Sequence, residues 1–208
     1  MFLIGITGGT GSGKTTALRV LKSLGALALD CDAIYHGLLS SDAAMKSELE
    51  ARFAGVERNG SIDRAVLAKK VFNDASALND LNAITHKYVS MEIERQIENC
   101  GLTGTQVVAI DAIALIESGI AGICDVIVGT VAPINVRISR IMRRDGLTYP
   151  LAQMRINAQK PESYYREHCD FVLESNGKSY VEFEEKCKHF FAKLLSENGV
   201  NTSRLVNI

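Results

Sequence analysis

Between Gly8 and Thr15 the chain reads Gly-Gly-Thr-Gly-Ser-Gly-Lys-Thr, a run too rich in glycine to persist inside a helix or a strand. An apolar stretch, Phe2–Ile6, precedes it, and in Lys14–Ser23 the residues Ala17, Leu18 and Leu21 recur at helical spacing. The order is therefore strand, loop, helix. In that context the spacing G-x-x-x-x-G-K-[ST] is a phosphate-binding loop: glycines admit positive φ, so successive backbone N–H groups can turn inward around phosphate oxygens at the positive end of the following helix. Gly9, Thr10, Gly11, Ser12, Gly13, Lys14, Thr15 and Thr16 are the expected nucleotide contacts. Lys14 can reach the β and γ phosphates, and the Thr15 hydroxyl can ligate Mg2+.

Four further apolar runs read as buried strands: Ala26–Leu29, Gln106–Ile110, Val126–Val131 and Cys169–Leu173. The helical stretches between them are too long for hairpins, which implies right-handed crossovers and a mainly parallel sheet of about five strands covered on both faces. Between the second and third strands there is almost no strand signal. A long helix is predicted over Asp74–Asn99, with Leu78, Leu81, Ile84, Tyr88 and Met91 on one face as core packing, and Gly55–Ile62 reads as a polar loop. A helical insertion after the second strand would sit above the carboxyl ends of the sheet, where open α/β folds bind ligands, and is a natural lid or acceptor pocket. After Cys187 a final amphipathic helix is expected to about Ser196, with Glu197–Ile208 as a frayed tail.

Charge narrows the partners. Lys and Arg total 23 against 24 Asp and Glu, a net charge of −1, so nothing global attracts nucleic acid or an anionic membrane. The five cysteines are scattered without a C-x-x-C pair, which reads as free thiols in a reducing cytoplasm. The apolar amino terminus is too short for a signal peptide, and the longest uncharged runs, about a dozen residues, fall short of the roughly 18 that a membrane span needs. A cytoplasmic protein with no nucleic-acid, membrane or obligate protein partner is expected.

No N-K-x-D segment reads guanine and no L-S-G-G-Q signature marks a transporter ATPase; an acidic pair near the loop and an arginine cluster downstream are the layout of a small-molecule kinase. Asp30 and Asp32 follow the second strand, where a carboxylate could accept a proton from an acceptor hydroxyl, hold the water shell of the metal, or cap a helix starting near Ala33. Asp111 ends the apolar run Val107–Ile110 in the form of a Walker-B acid that contacts Mg2+. On the helix opened by Pro133, Arg137, Arg140 and Arg144 share one face and would repel one another unless an anion lay between them, a need that phosphates satisfy. Arg155, with Gln159 and Lys160, could close over the same phosphates from the next helix.

Taken together, TGGTGSGKTT (7–16), Leu29-Asp30-Cys31-Asp32, DAIALIE (111–117), RIMRRDG (140–146), RINAQ (155–159) and ESNG (174–177) resemble the dephospho-CoA kinases, in that family's order and spacing over nearly the whole chain. The resemblance implies a P-loop NTPase fold of the nucleoside monophosphate kinase type: an α/β core (1–32, 104–136, 168–196), a helical acceptor-binding insertion (33–103) and a lid (137–167). It implies transfer of the ATP γ-phosphate, with Mg2+, to the ribose 3′-hydroxyl of dephospho-CoA. Lys14, Arg140 and Asp32 would be catalytic, with Asp32 as general base; Arg144 would bind the nucleotide, and Asn176 would lie beside its adenine.

On the acceptor side the resemblance points to Asp32, Arg140, His36, His86 and Leu115, and here the chain departs from the family. His36 stands where an Arg is usual, His86 is followed by Lys87 rather than Pro, and Ile113-Ala114-Leu115 replaces P-L-L. For both histidines, an acceptor contact and an ordinary surface or packed position stay open. The alternatives are the same chemistry on a nucleoside or nucleoside monophosphate, and a nucleotide-gated binding module without turnover.

Overall fold

A computed structural model describes residues 1–72, 74–176 and 179–200. Gly177 of the ESNG segment and the 201–208 part of the expected tail lie outside the described residues. In chain order the elements are β1 (Phe2–Thr7), α1 (Lys14–Ser23), β2 (Leu27–Asp30), α2 (Cys31–Ser41), α3 (Ala43–Phe53), β3 (Glu57–Arg58), β4 (Ser61–Ile62), α4 (Arg64–Val71) and α5 (Ala75–Leu102). Then come β5 (Val107–Asp111), a 3-10 turn (Ile120–Ile123), β6 (Val126–Val131), α6 (Ile134–Asp145), α7 (Tyr149–Asn157), α8 (Glu162–His168), β7 (Phe171–Glu174) and α9 (Tyr180–Glu197). Two compact units result: Asp30–Cys100, and Met1–Leu29 together with the chain from Gly101 on.

The second of these contains a five-stranded sheet in the order β2-β5-β1-β6-β7. β1 pairs in parallel with β5 and β6, and β6 with β7. Its strands are apolar without alternation because residues on both faces are enclosed: Val107, Val108, Ala109 and Ile110 are all buried. Ile4, Ile6 and Val128 of the sheet share one core with Leu21 of α1 and Phe191 and Leu195 of α9. Ile138 and Ile141 of α6 pack on Ala152 and Ile156 of α7 as a separate cluster.

The expected strands exist, and all but β6 have shifted ends. β5 runs on to Asp111 because Asp111 still pairs with Ile6, a ladder contact that a polar residue makes as readily as an apolar one. β7 starts at Phe171 rather than Cys169, since Cys169 closes α8 and the Asp170 carboxylate accepts the Ile127 N–H at 2.7 Å. α9 begins at Tyr180, well before Cys187, where the Ser179 hydroxyl accepts from the N–H groups of Val181 and Glu182.

In the Asp30–Cys100 unit each α-helix is started by an aspartate. Asp30 accepts from Ala33 N, Asp42 from Met45 N, Asp63 from Ala65 N and Val66 N, and Asp74 from Ala77 N, at 2.7–3.1 Å. Gly55–Ile62 is not a plain loop: β3 and β4 form an antiparallel hairpin whose turn, Asn59 (φ 51) and Gly60 (φ 79), has the two positive φ angles that an Asn-Gly pair adopts most easily. The α5 stripe also needs correction. Ile84 and Tyr88 are buried, but Leu78 and Met91 are 44% and 56% exposed; Ala77, Thr85, Val89 and Ile93 are buried in their place.

The cap separates Asp30 from Asp32. Asp30→Ala is expected to lower stability by about 1 kcal/mol, the usual cost of losing an N-cap side chain, whereas the exposed Asp32→Ala should change it little. Thermal denaturation of the two variants side by side checks this.

Candidate active site

The loop between β1 and α1 leaves the carboxyl end of the sheet at Thr7. Gly8, Gly11 and Gly13 hold φ of 141°, 79° and 117°, a region costly for any side-chain-bearing residue. Space is as restrictive as conformation: a Cβ on Gly8 would run into Thr130, one on Gly9 into the Arg137 guanidinium, and one on Gly13 would lie 2.7 Å from the Phe183 ring. The loop closes on itself through Ser12 N–H to Gly9 O at 3.1 Å, and α1 starts with Thr16 N–H and Ala17 N–H on Gly13 O. The N-cap is Gly13, which has no side chain to cap the helix, and the first turn of a helix presents the kind of backbone N–H groups that bind an anion. Lys14 Nζ reaches back over the loop to Gly8 O at 2.8 Å.

Register brings the other candidates alongside. Asp111 pairs with Ile6, Ala112 N–H donates to Ile6 O at 3.2 Å, and the Thr7 hydroxyl donates to Ile113 O at 3.0 Å. On the β6 side, the hydroxyls of Ser12 and Thr130 are 2.6 Å apart. An exposed Thr15 hydroxyl and the Asp111 carboxylate are hard oxygen donors, a set that suits Mg2+, which takes one or two protein oxygens and completes its shell with phosphate and water.

The arginines do not stand in mutual repulsion awaiting an anion, as the spacing suggested, because the protein supplies their partners. Buried Arg137 donates to Thr10 O at 2.9 Å and to Gln159 Oε1 at 2.8 Å; Arg140 donates to Gly11 O at 2.9 Å and to the Ser175 hydroxyl at 2.8 Å. Arg144 pairs with Asp145 at 2.7 Å, and Arg155 pairs with the same carboxylate, whose pKa these guanidinium groups hold below the usual range. Burial pulls the pKa of Arg137 and Arg140 down; among the described residues neither makes an ion pair.

A cavity of about 430 Å³ opens beside this cluster, lined by Asn135, Val136, Ser139, Arg140, Arg143, Ser179 and Tyr180. Arg140 is thus common to the cavity and to the loop. Asn176 is exposed. Leu115, an expected acceptor contact, is fully buried against Gly5 and offers no surface to a ligand. In the other unit, Asp30 is occupied as a helix cap, while Asp32 sits in the first turn of α2 with its side chain exposed. His36 is exposed with its ring 5.2 Å from that of Tyr35, and His86 is half-buried on α5. Sequence spacing did not reveal that Thr10 N–H donates to Gln159 Oε1 at 2.9 Å, nor the roles of Thr130 and Ser175, because these contacts join residues far apart in the chain.

The family model for Dephospho-CoA kinase matches residues 2–180 of the chain. The chain belongs to the dephospho-CoA kinase family. The Dephospho-CoA kinase of Moorella thermoacetica is 34% identical over 180 residues, covering 85% of each sequence. A crystal structure from Thermus thermophilus aligns with a TM-score of 0.73 at 31% identity, over 94% of this chain and 97% of that one. The dephospho-CoA kinase of Campylobacter jejuni, 23% identical, shares the fold with a TM-score of 0.69 over 94% and 98% of the two chains. The mainly parallel sheet with its glycine-rich first turn is the P-loop kinase fold of this dephospho-CoA kinase family.

Proposed function

We propose that the chain transfers the γ-phosphoryl group of ATP to the ribose 3′-hydroxyl of dephospho-CoA, giving coenzyme A and ADP, the final step of coenzyme A synthesis. The observation that carries this reading is the uncapped α1 N-terminus behind a loop of left-handed glycines, in a chain matched to its family over residues 2–180.

Each residue then has a chemical task. The loop N–H groups from Gly9 to Gly13 and the first turn of α1 bind the phosphates, and Lys14 follows charge onto the transferring oxygens. Thr15 and Asp111 would hold Mg2+, whose charge offsets that of the β and γ phosphates. Adenosine occupies the cavity beside Tyr180, with Asn176 near its base, and Arg140 joins that cavity to the loop at Gly11. Asp32 orients the acceptor hydroxyl and takes its proton, since Asp30 is already committed to Ala33 N–H. The Asp30–Cys100 unit receives the acceptor, with His36 and His86 as candidate contacts, and the α6–α7 region serves as the lid. All five cysteines are free thiols, in keeping with work in a reducing cytoplasm.

The test is ADP release measured with a panel of acceptors. Dephospho-CoA should support Mg2+-dependent release, and nucleosides and nucleoside monophosphates should not. Release supported only by nucleosides would assign a different kinase, and ATP binding with no turnover on any acceptor would make the chain a binding module.

A further inference from the structure

Two side chains that the phosphate chemistry leaves unused grip the loop from outside. Arg137 Nε donates to Thr10 O at 2.9 Å and its Nη2 donates to Gln159 Oε1 at 2.8 Å. The same Oε1 accepts the Thr10 N–H at 2.9 Å, and Gln159 Nε2 donates to the Thr10 hydroxyl at 2.7 Å. Every polar group of Thr10 is therefore held by one residue of α6 and one just beyond α7.

The grip has a geometric consequence. In a planar trans peptide the C=O and the next N–H point in opposite directions, so anchoring Thr10 O on Arg137 turns the Gly11 N–H away from α6. Arg140 repeats the device one peptide later: with Gly11 O anchored at 2.9 Å, the Ser12 N–H turns the other way, across the loop onto Gly9 O at 3.1 Å. Electrostatics point the same way. Arg137 is 7% exposed, keeps its charge at any ordinary pH and makes no ion pair among the described residues: its hydrogen bonds go to neutral acceptors, and Glu162 acts on it only through space. Its guanidinium lies close enough to Gly9 to exclude a Cβ there, which places a buried positive charge directly behind the loop.

We infer that Arg137 and Gln159 are positioning residues that fix the phosphate-binding conformation of the loop and tie it to the α6–α7 hairpin, without themselves touching phosphate. Gln159 is the keystone, because one amide oxygen serves both the guanidinium and the Thr10 N–H while its nitrogen serves the hydroxyl. The inference rests on the nucleotide site proposed above.

Calorimetry and competition binding with Mg·ATP, ADP and adenosine test it, on the wild-type chain, Gln159→Met and Thr10→Val. Gln159→Met keeps the volume and loses three hydrogen bonds, so ATP and ADP affinity should fall about 10–30-fold while adenosine affinity stays within about 2-fold. Thr10→Val loses one bond and should show the same phosphate-dependent pattern at about 3-fold. Equal losses for adenosine and ATP, or no loss in either variant, would overturn the inference; if Gln159→Met does not fold, Thr10→Val decides alone. A wild-type chain that does not bind ATP would instead refute the proposed nucleotide site.

Discussion

Lys14→Met is expected to lower kcat by at least about 10²–10³, the usual cost of removing one preorganised electrostatic contact to a transferring group, while leaving the fold intact. The side chain sits at the exit of the glycine loop, part-buried, with Nζ donating to a loop carbonyl, Gly8 O. Methionine preserves the apolar stem, and the bond to Gly8 O that it forfeits is worth about 1 kcal/mol of stability. Circular dichroism should therefore superpose on that of the wild type while ADP release disappears. A variant that unfolds, or that turns over near the wild-type rate, would show that the ammonium serves the loop rather than the phosphoryl group.

Asp32→Asn should cost about 10²–10⁴ in kcat, the range for a positioned base, with dephospho-CoA and Mg·ATP affinities little changed. The partner substitution sharpens this. Asn caps helices about as well as Asp, so Asp30→Asn should keep the bond to Ala33 N–H and most of the activity. If Mg·ATP affinity collapses in Asp32→Asn, its carboxylate serves the metal; if Asp30→Asn is the more damaged in turnover, the roles within the pair are reversed.

Much of this was legible because it is local. The loop, its strand and its helix follow from glycine and apolar spacing within one short stretch. β6 occupies Val126–Val131 as expected, since Asp125 before it and Pro133 after it punctuate the run. The Asn59-Gly60 turn signal was present too, but two-residue strands carry too little alternation to stand out. On α5 the apolar residues alone mark the buried face poorly: Thr85 is enclosed, with its hydroxyl on the carbonyls of Leu81 and Asn82, while Leu78 and Met91 are exposed.

The arginine cluster shows where local reasoning stops. Spacing put Arg137, Arg140 and Arg144 on one face and called for an anion, but the acceptors that answer Arg137 and Arg140, Thr10 O and Gly11 O, lie more than a hundred residues upstream. Gln159, expected with Arg155 and Lys160 to close over the phosphates, instead holds Thr10 and Arg137. Its part depends on a backbone amide 149 residues away, and no periodicity in the sequence encodes that pairing.

The proposed reaction requires the loop, Thr15 with Asp111, and Asp32 to act together on one hydroxyl of one acceptor. The most direct measurement supplies γ-labelled ATP, Mg2+ and dephospho-CoA and locates the label by mass spectrometry and 31P NMR. The label is expected stoichiometrically as a monoester on the ribose 3′-oxygen, yielding coenzyme A; label recovered as inorganic phosphate, or on any other hydroxyl, would contradict the proposed reaction.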